Sequence, residues 1–207
     1  MTTPETLDAA AFRAALTEHR LVAVIRSQNP ADAKGRADAA IAAGVGIVEV
    51  AWTTPEAASV VRHLGGKAPL LGAGTIVRPD QAEEAVSAGA QFLIAPDYSA
   101  AVAEEARALG VLYIPGVMTP RDVADAAIHG GHQILKLFPA GSLGPAHFRA
   151  LRDPFPGLAW VPTGGVDWMN AAEWLEAGAA GVGLGTALFD TVDLRSALAH
   201  LKEAAVS

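Results

Sequence analysis

One feature constrains the fold of this chain more than any other. An Ala-rich amphipathic stretch, a glycine and a short apolar run recur about every 20 to 25 residues along the sequence. Each unit reads as a helix leading into a strand. The strands expected are 21–26, 46–52, 69–75, 92–96, 111–117, 132–139, 159–165 and 181–188. They are continuous apolar runs and do not alternate with polar residues, so both faces should be covered, as in a parallel sheet. Gly44, Gly89, Gly110, Gly130 and Gly178 fall at helix ends, where left-handed caps suit glycine. Pro30, Pro55, Pro79 and Pro120 fall where helices should begin. A further helix, about 6–19, precedes the first strand. Eight such units predict an α/β fold, a (β/α)8 TIM barrel with an extra N-terminal helix, in one domain spanning 1–207. A doubly wound open sheet would carry a Gly-rich loop after its first strand, where this chain has Arg26-Ser27-Gln28-Asn29-Pro30.

Composition narrows the function. A net charge of −7, with no basic stripe interleaved with aromatics, argues against a nucleic-acid surface and leaves a small molecule as the expected partner. Cysteine is absent, so the chain has neither a disulfide framework nor a thiolate nucleophile. Residues 1–6 do not read as a signal peptide, and cytoplasm is the expected location. The most apolar run, 177–189, carries four glycines and is too short to span a bilayer, so no membrane role is expected.

In a barrel, chemistry belongs at the C-terminal ends of the strands. Of the four lysines, only Lys136 falls in a strand; Lys34 and Lys202 map to helix surfaces and Lys67 to a turn. A lysine buried in an apolar run loses its proton or finds a partner, and a neutral amine in a dry interior attacks carbonyls. The alternative is a stem lying along the core with its head at the surface. Strand two buries a carboxylate in the same manner, at Glu49. Period-two alternation puts Ile47, Glu49, Ala51 and Thr53 on one face, and Ile134, Lys136 and Phe138 on one face of strand six. If both faces point inward, Glu49 and Lys136 meet, either as a structural ion pair or as a catalytic one.

Other strand ends are glycine-rich. Strand three ends Gly72-Ala73-Gly74-Thr75, where glycine allows close backbone approach and Thr75 offers a hydroxyl. Thr163-Gly164-Gly165 at the end of strand seven and Gly185-Thr186 in strand eight lead into the two loops where barrels commonly bind phosphate. They read either as such a site or as ordinary turns. The histidines do not share metal-ligand spacing with a carboxylate at the strand ends, so neither a metal nor a cofactor is expected.

Val48-Glu49-Val50, Gly72-Ala73-Gly74-Thr75, Ile114-Pro115-Gly116-Val117-Met118-Thr119-Pro120, Leu135-Lys136-Leu137-Phe138-Pro139 and Pro162-Thr163-Gly164-Gly165-Val166 occur in order along the chain. In this combination the sequence resembles the class I 2-keto-3-deoxy-6-phosphogluconate (KDPG) / 4-hydroxy-2-oxoglutarate (KHG) aldolases. The resemblance implies a Schiff base with pyruvate at Lys136, proton transfer by Glu49, pyruvate contacts from Thr75, a phosphate site at Gly164, Gly165, Gly185 and Thr186, and a homotrimer. Phe138 and Thr163 join the expected substrate-binding set. Many members carry arginine four residues after the glutamate, where this chain has Thr53. Arg26, at the end of strand one, is the candidate substitute for holding the pyruvate carboxylate; its competing role is a rim pair with Asp32. The rival functions are a phosphosugar isomerase or epimerase on the same barrel and a non-catalytic phosphometabolite-binding barrel.

Overall fold

The computed structural model describes residues 7–204. Helix α1 (Ala9–His19) starts where the Asp8 carboxylate accepts from the Ala11 amide at 2.7 Å. It therefore begins later than the sequence suggests, and Thr6 lies outside the described residues. The elements then follow in order: β1 (Leu21–Ile25), α2 (Pro30–Ala42), β2 (Ile47–Ala51), α3 (Ala57–Leu64), β3 (Leu70–Gly74), α4 (Pro79–Ser87), β4 (Phe92–Ile94), α5 (Ala100–Ala108), β5 (Leu112–Ile114) and β6 (Gly116–Val117). After them come α6 (Pro120–Val123), β7 (Ile134–Leu137), α7 (Gly144–Arg152), β8 (Ala159–Pro162), α8 (Ala171–Glu176), β9 (Val182–Leu184) and α9 (Leu194–Ala204). Among the described residues no helix is long and apolar enough to cross a membrane.

The strands are all parallel and form two curled sheets. One runs β5-β4-β3-β2-β1-β9 and the other β6-β7-β8. An isolated parallel bridge joins Thr163 to Gly183, and the Ala180 amide donates to the Trp160 carbonyl at 3.0 Å, so β8 lies against β9. Every residue of β1, β2, β7 and β8 is buried, as continuous apolar strands covered on both sides require. Two apolar clusters result. One lies between strands and helices; the other fills the concave side of the strands with Val22, Ile47, Phe92, Ile134 and Val161, joined by Phe12 and Leu16 of α1.

Three local expectations need correction. The fifth strand, expected as one run over 111–117, breaks into β5 and β6 because Pro115 has no amide to continue the ladder; its carbonyl still accepts from the Lys136 amide at 2.9 Å. Pro30, Pro79 and Pro120 occupy first turns, but Pro55 does not: α3 starts at Ala57, after a left-handed Glu56 with φ 53°. Gly44, Gly89, Gly110 and Gly178 adopt positive φ, whereas Gly130 is right-handed and Gly131 makes the reversal at φ 76°. Beyond α6 the chain winds as a π-helix over Ala124–His129, and this wider turn delays the reversal by one residue.

Candidate active site

Glu49 of β2 and Lys136 of β7 both project into the concave interior, two residues beyond Ile47 and Ile134 of the inner apolar cluster. They are 1% and 4% exposed, and Lys136 Nζ stands 3.7 Å from Glu49 Oε1. Glu49 Oε1 accepts no hydrogen bond among the described residues, so Lys136 is the charge that balances it. The ammonium also lies 5.2 Å from the Phe138 ring centroid, a distance at which the ring face attracts a cation.

Above this pair opens a cleft of about 380 Å³, lined by Lys136, Arg26, Phe138, Thr163, Gly164 and Thr186 among others. Gly165 and Gly185 also line it. Gly164 and Gly165 take φ of 84° and 79°, and a side chain on Gly165 would crowd the Gly141 backbone at 2.9 Å. Two successive left-handed residues packed this closely leave glycine as the residue that fits. Thr163 is held by a hydrogen bond from its hydroxyl to the Val161 carbonyl at 3.2 Å, and it leans over Gly183, where a Cβ would collide with it. Thr186 opens the short 3-10 turn Thr186–Phe189, whose first amides have no acceptor within the turn and can face an anion.

Arg26 is exposed at the cleft, and its Nη2 donates to Thr75 Oγ1 at 3.2 Å. The competing partner is already taken, since Asp32 accepts from Arg36 Nε at 2.8 Å. Thr75 has φ 61°, a left-handed conformation that a β-branched residue adopts only under strain. Thr53 is not brought to the cleft. It is exposed in a separate cavity of about 320 Å³, beside Trp52 and Glu84, where Trp52 Nε1 donates to Glu84 Oε2 at 3.3 Å. Phe138 borders a further cavity on its other side, with Gly116 and Met118.

The sequence reading missed Val24, Val166, Asp167 and Ala187, which also line the cleft. Asp167 was legible in principle: its carboxylate accepts from the Met169 and Asn170 amides at 2.9 and 3.0 Å, a capping pattern that its place before α8 signals. Among the described residues no group of three His, Asp or Glu side chains is placed to hold a metal ion. His129 pairs with Asp125 at 3.1 Å. His132 sits edge-on to the Tyr98 and Tyr113 rings; burial, then the Arg107 charge, holds its imidazole below the ordinary histidine range.

Residues 12–200 match the family model described as KDPG and KHG aldolase. The chain belongs to that family. The aldolase is 34% identical to the 2-dehydro-3-deoxy-6-phosphogalactonate aldolase of Escherichia coli K12 over 84% of its own length and 86% of that protein's. It superposes with a TM-score of 0.82 on the 4-hydroxy-2-oxoglutarate/KDPG aldolase from TTHB1, at 33% identity over 93% of this chain and 98% of that one. The KDPG aldolase of Legionella pneumophila, solved with pyruvate captured as a covalent carbinolamine, gives a TM-score of 0.78 at 28% identity, covering 93% and 95% of the two chains.

Proposed function

We propose that this aldolase cleaves a 2-keto-3-deoxy-6-phospho sugar acid to pyruvate and glyceraldehyde 3-phosphate, and 4-hydroxy-2-oxoglutarate to pyruvate and glyoxylate. The observation that carries the reading is the Lys136–Glu49 pair, buried at 3.7 Å directly beneath an open cleft. The Lys136 amine adds to the C2 carbonyl to give a carbinolamine, and loss of water leaves an iminium that draws electrons from C3. Glu49 takes the proton of the C4 hydroxyl, directly or through one water. The C3–C4 bond breaks, its electron pair forming the enamine, and the C4 fragment leaves as an aldehyde. Glu49 returns a proton to C3, and water hydrolyses the iminium to pyruvate and free lysine.

Arg26 and Thr75, already joined at 3.2 Å, hold the keto-acid carboxylate, and Phe138 and Thr163 flank the reacting carbons. Thr53 is too exposed and too separate to share that task, and serves at most the outer rim. The phosphate binds between Gly164, Gly165, Gly185 and Thr186, which supports the phosphorylated acid as the principal substrate. The bridge between Thr163 and Gly183 supports reading the two sheets as one closed (β/α)8 barrel with α1 as its additional N-terminal helix, the chain forming one domain. The family supports a cytoplasmic homotrimer.

Borohydride trapping with pyruvate, followed by peptide mass mapping, tests the intermediate. The expected result is a reduced adduct on Lys136 that disappears in Lys136→Ala. Equal labelling of Lys136→Ala and wild type overturns the assignment. Sedimentation at micromolar concentration should show a trimer, and a monomer there removes that part of the proposal.

A further inference from the structure

Beyond Leu70, which packs on the inner apolar cluster, strand β3 presents no side chain to the interior. Gly72 and Gly74 share its inward face, and neither takes a positive φ, so the backbone conformation does not demand glycine at either place. Each supplies room instead. A Cβ on Gly72 would run into the Phe92 ring, and a Cβ on Gly74 would occupy the space of the Glu49 carboxylate.

The register shows what that room does. Glu49 lies opposite Gly72 across the β2–β3 ladder, and Ala51 lies opposite Gly74. The Glu49 side chain therefore leans two residues along the neighbouring strand, towards the end where the cleft opens, and rests on the bare backbone of Gly74. At that height its Oε1 comes within 3.7 Å of Lys136 Nζ. No hydrogen bond among the described residues fixes Oε1 there, so packing and the attraction of Lys136 set its position.

We propose that Gly74 is a positioning residue for the aldol chemistry: the missing Cβ lets the Glu49 carboxylate rise to the level of the Lys136 amine and the reacting carbons. The inference rests on the roles given to Lys136 and Glu49 above. A methyl at position 74 forces the carboxylate off this seat while leaving Lys136 and the cleft walls in place.

The readout that separates positioning from general damage is exchange at C3 of pyruvate. In D2O the iminium loses a C3 proton to Glu49, the C–H electron pair forms the enamine, and deuterium returns to C3. Gly74→Ala should still be trapped by pyruvate and borohydride at Lys136, while its exchange rate and the kcat for cleavage fall about a hundredfold, the scale of a positioned acid–base group. Exchange within threefold of wild type overturns the proposal.

A second comparison does not depend on activity. Gly74→Ala should lower Tm in the wild-type background and should be tolerated in Glu49→Ala, where the seat is empty. An equal loss in both backgrounds overturns the proposal. A wild-type protein that neither traps pyruvate nor exchanges its protons defeats the functional reading instead, and the Tm comparison still decides whether the room above Gly74 belongs to Glu49.

Discussion

The two ends of the interior are built from the same strands and differ in one layer of residues. At the lower end Ile47, Phe92 and Ile134 pack on Phe12 and Leu16, with Phe12 and Phe92 edge to face at 4.8 Å. Two positions further along β2 and β7 come Glu49 and Lys136. Burial is nearly the same in both layers, from 0 to 2% exposure below and 1 and 4% above, so it does not distinguish them. What distinguishes them is the cleft, which Lys136 of the upper layer lines and these residues of the lower layer do not. A pair of apolar residues would serve stability at least as well as a buried ion pair. Lys136 lines that cleft with Glu49 packed against it, and the apolar layer below holds the strands that carry them.

This contrast can be broken from either side. Phe12→Ala removes a fully buried ring from the lower layer and should reduce unfolding free energy by about 3 to 5 kcal/mol; urea unfolding measures it, and cleavage measured at low temperature should stay within about threefold of wild type. Should cleavage collapse with stability, the two layers are not separable. In the upper layer Lys136→Met abolishes cleavage and leaves Glu49 buried without its partner, at a cost of about 3 kcal/mol. Adding Glu49→Met should restore stability to wild type or above without restoring activity. A double variant no more stable than the single one shows that the pair holds the fold together.

The rim of the cleft offers a smaller effect. On the proposed reading Arg26→Ala should remove one charge-assisted contact to the keto-acid carboxylate, about 1.5 to 3 kcal/mol or ten- to a hundredfold in kcat/KM, with Tm unchanged because Arg26 is exposed. Unchanged kcat/KM places the carboxylate elsewhere. The smallest effect lies outside the interior, at His132. Burial, then the Arg107 charge, lowers the affinity of its imidazole for a proton, so as pH falls through about 6.5 the unfolded chain takes up a proton more readily than the folded one. Stability therefore drops on acidification from that point. His132→Phe keeps the ring contacts with Tyr98 and Tyr113 and should flatten the slope between pH 7 and 5.5, though not to zero, because burial depresses His19 in the same direction. An unchanged slope assigns the pH response to other groups.

Much of this arrangement was legible in the sequence because the informative residues break a pattern. Glu49 and Lys136 are single charges in apolar runs, and period two gives each a face that, if inward, brings them together, as the structure does. The helix and strand repeat is equally plain. Gly74 was not legible in the same way: a glycine at a strand end reads as close backbone approach, and only the register of β2 on β3 shows that it makes room for a side chain from the next strand. Thr53 was misplaced because alternation was carried past Ala51, where β2 has already ended. The interruption at Pro115 was legible in principle, since proline brings no amide to the ladder, whereas the π-helix after α6 depends on unusually spaced hydrogen bonds that local spacing does not encode.

Helix α1 has a consequence for the order of events during turnover. Because Phe12 and Leu16 fill the far end of the interior, the cleft that Lys136 lines is closed off at that end. On the Schiff-base reading proposed above, a keto acid enters with its reacting carbonyl towards Lys136. On that reading the aldehyde half is free once the C3–C4 bond breaks and leaves first, while the three-carbon acid, still bonded to Lys136, leaves last. Run backwards, the same traffic rule makes pyruvate the first to load, and an aldehyde that arrives early stands in its way.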